Sequence, residues 1–143
     1  MKIAEILRAK GRAVASIHPD QTVASAVREM KQRGVGALVV SRDRTHLVGI
    51  VSERDVVRAL ADDRAVLDRR VAEIMTEQVV TCTPEQTVTD AMALMTHRRH
   101  RHLPVLEGDE VAGIVSIGDL VKARLDELEL ESRVLRDAVL GNH

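Results

Sequence analysis

Three short stretches hold the residues best suited to chemistry. Gly49-Ile50-Val51-Ser52-Glu53-Arg54-Asp55 and Gly113-Ile114-Val115-Ser116-Ile117-Gly118-Asp119 each run from β-branched apolar residues into a serine, with an aspartate three positions later. That order reads as a strand feeding a capped helix start, which gathers backbone N–H groups, a hydroxyl and a carboxylate at one mouth. Such a mouth suits a phosphate and a ribose. In a single copy, Ser52 or Ser116 needs no role beyond capping its helix; two copies in matching surroundings point to a ligand. The third stretch, His97-Arg98-Arg99-His100-Arg101-His102, concentrates cations that bind phosphate oxygens. His97 and Arg98 are explained as cations near the carbonyl end of a helix. Zinc favours three or four converging neutral ligands, and the arginines threaded between His97, His100 and His102 argue against a metal. No Ser–His–acid set, Walker-type lysine loop or pair of catalytic carboxylates is legible, so the chain reads as a binding protein and not an enzyme.

The elements that must position these residues occur twice. His18-Pro19-Asp20-Gln21-Thr22-Val23 returns as Thr83-Pro84-Glu85-Gln86-Thr87-Val88, and Ile3-Ala4-Glu5-Ile6-Leu7 as Val71-Ala72-Glu73-Ile74-Met75. The spacing from Pro19 to Pro84 recurs from Met30 to Met95 and shortens by one residue from Asp55 to Asp119. The loss falls in a hairpin loop, where length is free to vary. Periodicity and punctuation predict a helix over 3–9, a strand over 14–17 and a helix capped by Thr22 with Val23, Ala26, Val27 and Met30 inward. A hairpin of 37–40 with 46–51 and a helix over 53–61 follow. After a linker at 62–70, a second leading helix is expected from about Asp68, then a strand over 79–81, a helix over 87–98, a hairpin of 102–106 with 110–115, and a helix opening at Ile117 with no stop before Gly141. The fold class is α/β of the α+β type: two repeats of strand-helix-strand-strand-helix, 1–65 and 66–143, the second with a C-terminal helical extension.

Composition sets bounds. Among 143 residues, 21 basic and 22 acidic side chains leave a net charge of −1, no basis for a general nucleic-acid or membrane binder. There is no Phe, Tyr or Trp on which unpaired bases could stack. No apolar run approaches the ~20 residues that span a bilayer, and the first residues lack the apolar core of a signal peptide, so a cytoplasmic protein is expected. Repeats this small bury too little surface alone, which predicts one core shared by both halves. The single Cys82 reads as a buried, inert thiol.

The twice-repeated Gly-hydrophobic-Val-Ser-x-x-Asp, together with Arg101-His102-Leu103-Pro104-Val105, resembles the CBS domain, named after cystathionine β-synthase; a tandem pair is a Bateman module. The resemblance runs from about Ile3 to Leu125. It implies a pseudo-twofold pair that binds an adenosyl ligand (AMP, ADP, ATP, NAD or S-adenosylmethionine) between its repeats and passes occupancy to a regulated partner. By the resemblance Asp55 and Asp119 take the ribose hydroxyls, Ser52 and Ser116 approach phosphate or ribose, and Arg101, with His100 and His102, takes phosphate. Val35, Gly36 and Ala37 stand in the first copy where His100, Arg101 and His102 stand in the second, so they offer only backbone and apolar contact. Arg54, whose counterpart in the second copy is Gly118, supplies a phosphate cation to the first-copy site. Ser16, Thr81, Pro104 and Ile117 complete the implied ligand set. Unequal sites are expected, the Asp119 site with Arg101 and the Asp55 site with Arg54. An adenine must lie between aliphatic side chains. A homodimer is also implied, through helices bearing Val56, Val57, Leu60, Leu120, Val121 and Leu125. The rival reading is an unliganded dimerisation or protein-interaction module whose C-terminal helix recruits a partner.

Overall fold

A computed structural model describes residues 1–11 and 13–141. The order is α1 (Ile3–Lys10), β1 (Ser16–Ile17), α2 (Val23–Arg33), β2 (Ala37–Val40), β3 (Gly49–Ser52) and α3 (Glu53–Asp62). Two single 3-10 turns, Val66–Asp68 and Val71–Glu73, lead to α4 (Val88–Arg98), β4 (His102–Glu107), β5 (Glu110–Ser116) and α5 (Ile117–Gly141). Thr22 and Thr87 cap α2 and α4 by accepting the amides of Ser25 and Asp90. Each of these helices stops at a left-handed residue, Gly34 with φ 65° and Arg99 with φ 57°. In the first repeat β1 pairs in parallel with β2, and β2 antiparallel with β3; in the second, β4 and β5 form an antiparallel hairpin.

Several expectations are corrected. The strand over 14–17 contracts to Ser16–Ile17. Residues 79–81 form no strand, because Pro104 has no N–H with which to carry a ladder past the isolated parallel bridge between Cys82 and Val105. The second leading helix is reduced to the Val71–Glu73 turn: Thr76 leaves it to exchange backbone hydrogen bonds of 2.9 and 3.0 Å with Ile50. Finally, the halves do not share one core. One cluster joins Val23, Ala26, Met30, Leu38, Val40 and Val51, and the other Val88, Ala91, Met95, Leu103, Val105 and Val115. Val27, expected inside, is 38% exposed.

What joins the two cores is a reciprocal exchange. Ile3 and Ile6 of the first leading segment are buried in the second core, while Val66 and Val71 are buried in the first. Backbone bonds repeat the exchange in pairs. The Ile3 amide donates to Gln86 O and the Ala4 amide to Pro84 O; likewise the Val71 amide donates to Gln21 O and the Ala72 amide to Pro19 O. A glycine lies at each side of the exchange, and at Gly49 the close neighbour is backbone. A Cβ on Gly49 would lie 2.9 Å from both Met75 Sδ and the Thr76 carbonyl oxygen, and one on Gly113 would lie 2.6 Å from Leu7 Cδ2. Of the apolar residues expected at a dimer face, Val56 and Leu120 are instead core, at 7% and 0% exposure, whereas Val57, Leu60, Val121 and Leu125 are exposed.

Candidate functional site

The repeated strand-to-helix turns are built as their sequence dictates. Ser52 and Asp55 close a capping box: Asp55 Oδ2 accepts from the Ser52 amide at 2.9 Å, and the Asp55 amide donates to Ser52 Oγ at 3.3 Å. The second oxygen, Oδ1, accepts from Thr76 Oγ1 at 3.3 Å, so the acid is steadied by a residue of the other repeat. Ser116 and Asp119 repeat the box at 2.8 and 3.1 Å. Each helix start is also tied to the preceding hairpin, the Glu53 amide donating to Gly36 O at 3.0 Å and the Ile117 amide to Arg101 O at 2.9 Å.

Around the first box lies a cavity of about 450 Å³ between the repeats. The first repeat lends Gly36, Ile50, Ser52, Glu53, Arg54, Asp55 and Arg58; the second lends Thr76, Gln78, Val79, Val80 and the run from Arg98 to His102. The basic stretch therefore faces Asp55. Arg101 was expected to serve the Asp119 site, but it lines the Asp55 cavity while its carbonyl holds the Asp119 helix start. The bare Cα of Gly36 makes room for the His102 ring, which would lie 3.3 Å from a Cβ there. An apolar groove adjoins the cavity at Gly36, Glu53 and His102, walled by Val27, Met30, Val35, Val56 and Val57 of α2 and α3.

Asp119 is engaged differently. The Lys10 ammonium donates to Asp119 Oδ2 at 2.8 Å and to the Ile114 carbonyl at 2.9 Å. Burial would raise the Asp119 pKa, but the Lys10 and Ser116 hydrogen bonds outweigh it and hold the carboxyl below its usual range. Burial pushes the His102 imidazole below its ordinary value, against the opposing pull of Glu53 and Asp119. Cys82 is 2% exposed, and burial lifts its thiol to about 11, far from a reactive thiolate.

Of the residues singled out in the sequence, Gly36, Ser52, Arg54, Asp55, His100, Arg101 and His102 meet at this cavity. Val35 lines the adjoining groove, and Ala37 and Pro104 are buried in strands. Ser16, Thr81, Ser116, Ile117, Gly118 and Asp119 are not among its walls. Sequence reasoning missed Arg58, Thr76, Gln78, Arg99 and Lys10, and assigned Arg98 to solvent. Arg58 was legible in principle, since it lies one helical turn beyond Arg54 and Asp55. Thr76 and Lys10 carry no local signal, because only the exchange of leading segments brings them to the boxes.

A tandem α+β repeat with an exchanged leading segment and a cation-rimmed cleft between its halves defines a paired-repeat module. The chain belongs to the CBS domain family, which matches residues 4–62 and again 71–126. It is 37% identical over 150 residues to the CBS domain-containing protein CBSX3, mitochondrial, of Arabidopsis thaliana, covering 99% of this chain and 73% of that one. A CBS-domain containing protein from Agrobacterium tumefaciens superposes with a TM-score of 0.82 at 39% identity, covering 87% of this chain and 99% of the other. A CBS domain protein from Pyrobaculum aerophilum, solved in complex with AMP, superposes with a TM-score of 0.79 at 30% identity, covering 92% and 99%. Among the described residues no helix is long and apolar enough to cross a membrane.

Proposed function

We propose that this chain is a regulatory module that binds an adenine nucleotide in the cavity at Asp55 and conveys occupancy to a partner. The observation that carries the reading is the meeting, in one cavity, of the Ser52–Asp55 box with the basic run from Arg98 to His102. In this reading the ribose hydroxyls donate to Asp55, Ile50, Val79 and Val80 give the base its aliphatic walls, and the guanidiniums of Arg54, Arg58, Arg98 and Arg101 take the phosphates. AMP in the Pyrobaculum aerophilum relative supports the adenosyl part. The number of cations favours a di- or triphosphate over AMP. Asp119 does not line this cavity, and the ammonium of Lys10 stands against its Oδ2, so one nucleotide per chain is the expected stoichiometry. The Ser52 and Thr76 hydroxyls are both engaged with Asp55 in holding the helix start, so binding, not turnover, is the proposed activity.

The test is mass spectrometry of small molecules released by denaturing the purified protein, followed by calorimetry with AMP, ADP, ATP, NAD and S-adenosylmethionine. The reading expects one adenine nucleotide per chain, bound more tightly as phosphates are added. If none of the five binds, the rival interaction-module reading takes its place; in its favour, Val57 and Leu60 on α3 are 65% and 42% exposed.

A further inference from the structure

Helix α5 carries a surface that nucleotide binding does not use. Only its first turns belong to the fold, where Leu120 and Ala123 are buried; residues 128–141 are all exposed. The family match ends at residue 126, so the 25-residue helix runs on past the repeat. Along it Val121, Leu125, Leu128, Ser132, Leu135 and Val139 follow one another at alternating steps of four and three. This is the spacing of the seam in a two-stranded left-handed coiled coil, interrupted by one polar residue, Ser132. Leu130 and Val134 lie off the seam, on a line interrupted by Glu127 and Asp137.

We propose that α5 pairs, parallel and in register, with the α5 of a second copy of this chain. The charges beside the seam select both partner and direction. In a parallel pair, a residue just before one seam position faces the residue five places further on in the other helix. Arg124 then meets Glu129 of the partner subunit, and Glu131 meets Arg136 of the partner subunit; twofold symmetry makes each contact twice, all of them attractive. An antiparallel pair centred on Ser132 would keep Glu129 against Arg136 of the partner subunit but set Glu131 beside its own symmetry mate, like against like, and lose the Arg124 contacts. Within one chain Glu129 lies 3.8 Å from Arg133, an exposed pair that costs little to rearrange, and Arg124 lies 3.6 Å from Glu127, which also takes the N-terminal ammonium at 3.4 Å. A parallel coil places the twofold axis along α5 and the two repeat pairs at the same end of it. The proposal stands whether or not a nucleotide binds.

The test uses the full chain, whose single native thiol is buried. Ser132→Cys and Val139→Cys, made separately, should each form a disulfide-linked dimer under mild oxidation, because a parallel in-register pair sets every seam residue against itself; an antiparallel pair can do so at one position only. Glu131→Arg should weaken dimerisation about tenfold in sedimentation equilibrium, and adding Arg136→Glu should restore it. Cross-linking at neither position or at only one, or a double reversal no tighter than the single, overturns the proposal.

Discussion

Asp55 has two duties that substitution can separate. Asn at this position keeps an oxygen for the Ser52 amide but loses the charge that would hold ribose hydroxyls, and hydrogen bonds to charged groups contribute about 1.5–3 kcal/mol. Asp55→Asn should therefore weaken nucleotide binding roughly ten- to a hundredfold in calorimetry, with little change in melting temperature. Asp119→Asn should leave that affinity intact, since Lys10 and not ligand is its partner; equal losses from both would contradict the asymmetry. Arg99 poses a second residue-scale question. It ends α4 at φ 57°, where the first repeat has Gly34, so a side chain rarely tolerated there is kept at the cavity rim. Arg99→Gly should raise stability by about 0.5–1 kcal/mol in denaturant titration, because it relieves a side chain held at positive φ. His102 supplies a pH test. Its folded pKa lies below the ordinary 6.5, so as pH falls through that value the unfolded chain takes up protons that the folded chain refuses, and stability drops. His46, raised by Asp43, has the opposite sign, its stabilisation fading as pH rises. The measurement is thus a difference: His102→Gln should show a shallower loss of melting temperature below about pH 6.5 than the parent.

At the scale of elements, most of the secondary structure was legible because local rules act locally. The threonine caps, the apolar stripe of α2 and α4 and the Ser–Asp boxes needed no tertiary knowledge. The exceptions were set by contacts from elsewhere in the chain: Pro104 denies a strand to residues 79–81, and Ile50 draws Thr76 out of a helix. The exchange of leading segments makes its own prediction. Ile3→Ala should cost about 3 kcal/mol, as for other buried large-to-small changes. Hydrogen exchange should show the loss of protection in β4, β5 and α4, although Ile3 belongs to the first half of the sequence. Protection lost first in β1 to β3 would contradict the exchange.

For the whole molecule, a nucleotide that binds only the folded chain stabilises it by about 2.7 kcal/mol at a hundred times its dissociation constant. That corresponds to a rise of several degrees in melting temperature, which circular dichroism can follow in a chain with no Trp or Tyr. Arg101→Ala should shrink the rise for ATP more than for adenosine, since it removes a phosphate contact and spares the ribose. What the sequence by itself determined was the repeat, its element order and the two boxes, because each is encoded in residues a few positions apart. Which box faces the arginines was decided only in three dimensions. The exchange carries Thr76 to Asp55 and Lys10 to Asp119, and it turns the run from Arg98 to His102 toward the first repeat, so two boxes nearly identical in sequence acquire different surroundings.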